Sequence, residues 1–193
     1  FPDVDLIVSC GDLPYYYLEY ILDALNVPMF FVHGNHDPEV EHSSRGRRGN
    51  RSHPWGAENI HGKVVEFQGI TILGFEGSIR YSKAKHQYTQ VEVWFQVLRT
   101  IPRLMWNRLK RGRFLDILVT HSPAYGLGDE TDPAHQGFRA YRWLIEVFKP
   151  RYHLHGHIHV YDRNERNNHK FLETKIVNVC WFQVIELKSG ENR

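Results

Sequence analysis

Cysteine is scarce in this sequence, no apolar run approaches the ~20 residues that span a bilayer, and the formal charge is only +2. Each shortage excludes something. Cys10 and Cys180 sit in separate apolar runs and cannot build a disulfide framework, so buried, reduced thiols in a cytoplasmic protein are the simplest account. Nothing resembles a signal peptide, and no membrane partner is expected. The near-neutral balance gives no sign of a dedicated nucleic-acid binder. Repeats, linkers and low-complexity tracts are also missing, so residues 1–193 read as a single domain with a sizeable core. The chain opens at Phe1 and runs almost at once into a buried-looking strand, which reads as a protein whose beginning is absent.

Histidine is plentiful: there are thirteen, and their placement matters more than their number. His155-Gly156-His157-Ile158-His159 follows an apolar run. Alternate residues of an extended segment share a face, so His157 and His159 can reach toward one spot, as half of a metal site would require. A histidine-rich turn at a strand end explains the stretch equally well until the rest of the chain is considered. Val4–Ser9 reads as a buried strand ending in Cys10-Gly11-Asp12. A helix opened by Pro14 follows, with Tyr17, Leu18, Ile21, Leu22 and Leu25 at helical spacing. Met29–Val32 is a second strand, ending in His33-Gly34-Asn35-His36-Asp37. Strand, helix and strand make a βαβ unit, which sets the two strand ends side by side. Leu115–Val119 delivers Thr120-His121-Ser122, and Tyr152–Leu154 leads into the histidine stretch. Four strands thus end in metal-binding residue types, at the carboxyl ends where α/β sheets place ligands.

Elsewhere the pattern is structural. Lys63–Phe67 and Ile70–Gly74 read as a hairpin around Gln68-Gly69. From His86 to Arg111 the period is helical, and Val91, Trp94, Phe95, Leu98, Ile101, Met105 and Leu109 form one stripe expected to pack in the core, with Pro102 kinking or dividing the helix. Arg99, Arg103, Arg108, Lys110, Arg111 and Arg113 make the other side a solvated face. Phe138–Phe148 is a helix stopped by Pro150, and Lys175–Cys180 and Phe182–Leu187 read as two closing strands. The arginine-rich stretch Glu39–Pro54 reads as a solvated loop, with a phosphate-attracting lid as the sharper alternative. Ser122 beside His121 lacks a nucleophile elbow.

Taken in order, Gly11-Asp12, Gly34-Asn35-His36-Asp37, Thr120-His121 and Gly156-His157-Ile158-His159 resemble the motifs of the calcineurin-like metallophosphoesterases over nearly the whole chain. The resemblance implies an α/β fold, a two-sheet β-sandwich flanked by helices in four αββα layers. It also implies a binuclear metal centre and hydrolysis of phosphomonoesters or phosphodiesters by a metal-activated water. Carried over residue by residue, Asp12 bridges the metals, Asn35, His121 and His157 complete one site, and His159 binds the other ion. His36 sits beside the phosphate as general acid or charge stabiliser, and Asp37 orients it. Mixed oxygen and imidazole ligation suits Mn, Fe, Zn or Ni, up to two ions. A small phosphate ester is the implied partner; the substrate-binding residues and oligomeric state are unassigned.

The family's Asp-x-His signature on a first strand has no counterpart before Asp12. Asp5 lies seven residues from Asp12, on the order of 20 Å along a strand, too far to substitute. Asp3 and Asp5 therefore read as solvated strand-entry residues. The expectation is an N-terminally incomplete domain lacking its first strand, with one well-furnished metal position and one half-furnished by Asp12 and His159. The alternative is a catalytically weakened metal-binding scaffold or protein-interaction module of the same fold.

Overall fold

The computed structural model describes residues 3–38, 40, 52–159 and 168–187. Most of the arginine-rich stretch, 39 and 41–51, lies outside the described residues. In chain order the elements are β1 (Ile7–Ser9), α1 (Tyr15–Leu25), β2 (Met29–Phe31), β3 (Ala57–Asn59), β4 (Val64–Phe67), β5 (Ile70–Phe75), β6 (Ser78–Ile79), β7 (Gln87–Tyr88), α2 (Gln90–Arg111), β8 (Ile117–Thr120), α3 (Arg139–Phe148), β9 (Tyr152–His155), β10 (His169–Phe171) and β11 (Thr174–Asn178).

Three parallel strands, β1-β2-β3, form one sheet, and a second, mixed sheet runs β10-β11-β9-β8-β5-β4. Side-chain alternation separates two cores. Ile72, Ile117, Val119, Leu154 and Val177 of the large sheet meet Phe30, Val32 and Ile60 of the small one between the sheets. Their neighbours Leu73, Phe75, Leu118 and Ile176 point the other way, onto Val93, Val97 and Leu104 of α2 and Tyr141, Leu144, Ile145 and Phe148 of α3. Met29 and Phe31 likewise turn from the inter-sheet core toward the side where Tyr15 and Leu18 of α1 are buried. Helix, sheet, sheet and helix are thus the four layers expected.

The expected hairpin is β4–β5, and both turn residues take left-handed backbone, Gln68 at φ 47° and Gly69 at φ 82°. The βαβ unit is also present: β1 pairs with β2 in parallel, and α1 ends at Asn26, whose N–H reaches the Leu22 carbonyl at 2.8 Å.

Three expectations are corrected and a fourth is narrowed. Of the kink or division expected at Pro102, division does not occur: α2 runs from the Thr89–Glu92 capping box to left-handed Gly112 as one element, with Thr100 and Leu104 buried on either side of the proline. The stripe expected in the core is instead largely exposed: Val91, Phe95, Leu98, Met105 and Leu109 face solvent, while Val93, Val97, Thr100, Leu104 and Asn107 are the buried set, with Trp94 and Ile101 at the boundary. Apolar residues recur at the same period on both sides of this helix, so periodicity alone does not select the inward face. Phe182–Leu187 forms no strand. Finally, the two closing strands expected at Lys175–Cys180 and Phe182–Leu187 do not pair with each other: β11 pairs antiparallel with β10, which precedes it, and parallel with β9.

Candidate metal centre

The carboxyl ends of β1, β2, β8 and β9 bring Asp12, Asn35, His121 and His157 together. Two glycines make the approach possible. A Cβ on Gly11 would strike the Gly34 backbone, and one on Gly34 would strike the Asp12 carboxylate, so the two loops pack main chain against main chain. Asp12 at φ 59° and His157 at φ 66° hold left-handed conformations, which for non-glycine residues are sparsely populated and cluster at functional sites.

Hydrogen bonds around the rim decide where the protons are. His121 Nδ1 donates to the Cys10 carbonyl at 2.7 Å, and His157 Nε2 donates to the Ala134 carbonyl at 2.9 Å. Asn35 Nδ2 donates to the Tyr81 hydroxyl at 2.9 Å, which turns its Oδ1 inward. Carbonyl oxygens only accept, so the opposite ring nitrogens carry lone pairs when the imidazoles are neutral. Around His121 Nε2 then stand Asn35 Oδ1 at 2.9 Å, His157 Nδ1 at 3.1 Å and Asp12 Oδ2 at 3.3 Å. Four acceptor atoms at such spacing require a positive charge among them. A proton on Nε2 serves one or two, whereas a divalent cation serves all four, so this donor set fits a metal ion.

Electrostatics agrees. Burial pushes the His157 imidazole down to about 4, with the neighbouring His121 adding to the effect, so the ring is neutral at pH 7, as a metal ligand must be. Burial pushes the Asp12 carboxyl up, but a proton on His121 Nε2, through its hydrogen bond and charge, outweighs it together with the N–H and charge of His36 and holds Asp12 below its ordinary value; that proton stands where a cation would serve all four acceptors. Burial raises Asp37 despite the Gly34 N–H.

The other expected site residues are placed differently. His36 is exposed at the rim, its N–H donating to Asp12 Oδ1 at 2.8 Å. Asp37 Oδ2 accepts from the Gly34 N–H at 2.7 Å and the Asp12 N–H at 3.2 Å; its hydrogen bonds hold the two loops together. His159 is exposed and lies outside the group in which Asp12, His121 and His157 have ligand atoms within 4.8 Å of one another. Asp3 and Asp5 are exposed near the entry of β1.

A family model described as calcineurin-like phosphoesterase matches residues 1–161. The chain belongs to that family. Metal-dependent hydrolysis of phosphoesters is the general chemistry of calcineurin-like phosphoesterases, and the donor set above is of the kind that chemistry needs. No curated protein matches the chain. Two solved structures share the fold. TT1561 of Thermus thermophilus is 17% identical with a TM-score of 0.58, the match covering 92% of this chain and 77% of TT1561. Another crystal structure is 18% identical with a TM-score of 0.54, and here 86% of this chain matches 65% of the other. The chain therefore spans about two thirds of that structure's length, and at these identities the likeness shows the fold alone.

Three features of the centre and its surroundings escaped the sequence reading. Tyr81, 46 residues from Asn35, supports that side chain from the loop between β6 and β7. The Ala124–Gln136 loop reaches the centre through the Ala134 carbonyl and through the His135 ring, 5.1 Å from that of His157. Asp132 accepts from the Ala134 N–H at 3.0 Å and holds the His135 ring nitrogen at 2.9 Å. The third is a second buried cluster. His33 Nδ1 donates to Glu76 Oε2 at 3.0 Å, His86 Nδ1 to Oε1 at 3.1 Å and the Tyr88 hydroxyl to Oε1 at 2.5 Å. These donors outweigh burial and hold Glu76 well below the carboxylate range. Nothing in Phe75-Glu76-Gly77-Ser78 announces this, because the partners lie 43 residues before and 10 and 12 after.

Proposed function

We propose that the chain is a hydrolase of phosphomonoesters or phosphodiesters, with a divalent transition-metal ion held by Asp12, Asn35, His121 and His157. The observation that carries this reading is the convergence of four acceptor atoms with their outward hydrogens already committed to Cys10, Tyr81 and Ala134. When bound, such ions neutralise phosphoryl charge and lower the pKa of a coordinated water. The protein's part is to position and to exchange protons. His36, exposed beside Asp12, stands where a phosphate oxygen would enter, and its imidazole donates a proton to the departing alcohol oxygen. Asp37 sets that geometry by clamping the backbones of Gly34 and Asp12. Asp12 and His159 are assigned to a second ion, weaker than the first because fewer side chains serve it.

The test is metal-dependent cleavage of p-nitrophenyl phosphate and bis(p-nitrophenyl) phosphate, read together with bound metal. Asp12→Ala is expected to abolish turnover and tight metal binding together, and His36→Ala to lower turnover with metal content intact. Turnover that survives Asp12→Ala sinks the mechanism. A scaffold of the same fold is the second reading, favoured by the position of His159 outside the ligand group. Stoichiometric metal with no turnover on either ester would select it.

A further inference from the structure

The outward face of α2 is apolar where a solvated helix is polar. Val91, Phe95 and Leu109 are 62%, 61% and 80% exposed, and Leu98, Met105 and Trp106 continue the same ridge. At 1.5 Å per residue it runs about 27 Å from Val91 to Leu109 without interruption at Pro102. Exposed Arg99, Arg103 and Lys110 border the ridge, and Lys110 sits 5.0 Å over the Trp106 ring. Arg108 and Arg111 bring the basic residues of α2 to five, against the single acid Glu92, which is tied to Arg80 at 3.0 Å.

This combination defines the occupant. Arg111 is paired with Glu66 and Arg108 sits over the Phe114 ring, so a second copy laid on the ridge would bring Arg99, Arg103 and Lys110 against the same three cations at the ~8–10 Å of helix packing. A ridge is convex, so it suits insertion rather than reception of a peptide. The opposite face of α2 is already spent on the core through Val93, Val97 and Leu104, so the exposed ridge is a second apolar face; bulky side chains including Trp and Phe beside Arg and Lys are the surface composition of an interfacial helix. We infer that α2 docks this protein on an anionic lipid surface, the ridge entering the headgroup boundary and the flanking cations meeting lipid phosphates. No helix among the described residues is long and apolar enough to cross a membrane, and lying on the surface requires none. The inference runs against the expectation of no membrane partner, which rested on the lack of a spanning segment. The N-terminal end of α2 borders the metal-centre loop, with Gln90 bonded to the Gly137 carbonyl and the Arg139 N–H, each at 3.0 Å.

Sedimentation of the chain with vesicles of phosphatidylglycerol and phosphatidylcholine, against pure phosphatidylcholine vesicles, tests the assignment. Wild type is expected to pellet with the anionic vesicles only. Phe95→Glu/Leu109→Glu lowers partitioning about tenfold or more. Arg99→Glu/Arg103→Glu lowers it comparably at low salt, and high salt removes the binding of wild type. Because all four positions are solvent-facing, both variants keep the wild-type melting temperature. Absence of vesicle binding by wild type overturns the inference, and so does equal binding by wild type and Phe95→Glu/Leu109→Glu. Light scattering that shows a wild-type dimer broken by Phe95→Glu/Leu109→Glu, without vesicle binding, would assign the ridge to a second copy instead.

Discussion

Two histidine–carboxylate clusters lie close together in this protein and look alike by distance. Asp12, His121 and His157 form one, His33, Glu76 and His86 the other, and in each the candidate ligand atoms fall within 4.8 Å of one another. They differ in where the protons point. In the first, carbonyls outside the cluster take the imidazole hydrogens, and lone pairs face inward. In the second, the imidazole and phenol hydrogens face inward onto Glu76, whose charge they satisfy. The first therefore fits a cation and the second does not, and proximity alone would have scored them equally.

The largest test of this contrast is ligand removal. Loss of an outer-shell partner typically costs 10- to 100-fold in metal affinity, so Asp12→Ala, which removes a ligand, is expected to cost more than about 100-fold. Glu76→Gln is expected to leave metal content at the wild-type level. Metal analysis that showed Glu76→Gln losing an ion would reverse the contrast.

Stability should respond the opposite way. Glu76→Ala leaves two buried histidines and a phenol without their acceptor and is expected to cost about 3–5 kcal/mol, on the order of a 10 °C drop in melting temperature. An unchanged melting curve would show that the network is dispensable.

Acid sharpens the comparison next. His155 is fully buried, and burial lowers it to about 4, so the unfolded chain takes up a proton first as pH falls. Its contribution is present above the unfolded value of about 6.5 and lost between there and about 4, roughly 3 kcal/mol in all. His153, lowered further by burial and by His155, acts with the same sign. Glu76, whose folded value is also depressed, loses its contribution at lower pH, once the unfolded carboxylate protonates below about 4.5. Melting temperature should thus fall in two stages from pH 7 downward, and Glu76→Gln should remove the second stage only. A flat profile between pH 7 and 4 would contradict the histidine assignment, and a flat profile below about pH 4 the Glu76 assignment.

The smallest effects come from two tyrosines. Tyr81→Phe takes the acceptor from Asn35 Nδ2 and is expected to weaken metal binding about tenfold with little change in stability. Tyr88→Phe takes a donor from Glu76 and is expected to cost about 1–3 kcal/mol with metal binding unchanged. Isothermal titration with Mn and thermal melts on both variants separate the two outcomes.

Much of this was legible because chain geometry restricts it. Short apolar runs ending in Asp12, Asn35, His121 and His157 had to form buried strands, and parallel pairing puts the carboxyl ends of β1 and β2 on one side of their sheet and those of β8 and β9 on one side of theirs; the packing of the two sheets then brings the pairs together. Other elements left no such trace. Strand β3, Ala-Glu-Asn, has no β-branched residue and exists because the edge of β2 offers it a ladder. Phe182–Leu187 is mostly apolar with two β-branched residues, as a strand would be, yet it is not a strand among the described residues.

What the sequence by itself determined is local: which segments extend or coil, which turns need glycine, and which reactive side chains end up at the same side of a sheet. Tertiary structure decided orientation. It chose Val93 over Phe95 as the inward face of α2, although both belong to stripes of the same period. It also brought Glu76 to His33 and His86, and Tyr81 to Asn35. Hydrogen direction is settled only when the final neighbour of each ring nitrogen is in place, and those neighbours come from residues far apart along the chain. Whether a group of histidines binds a cation or a carboxylate was therefore decided by the fold.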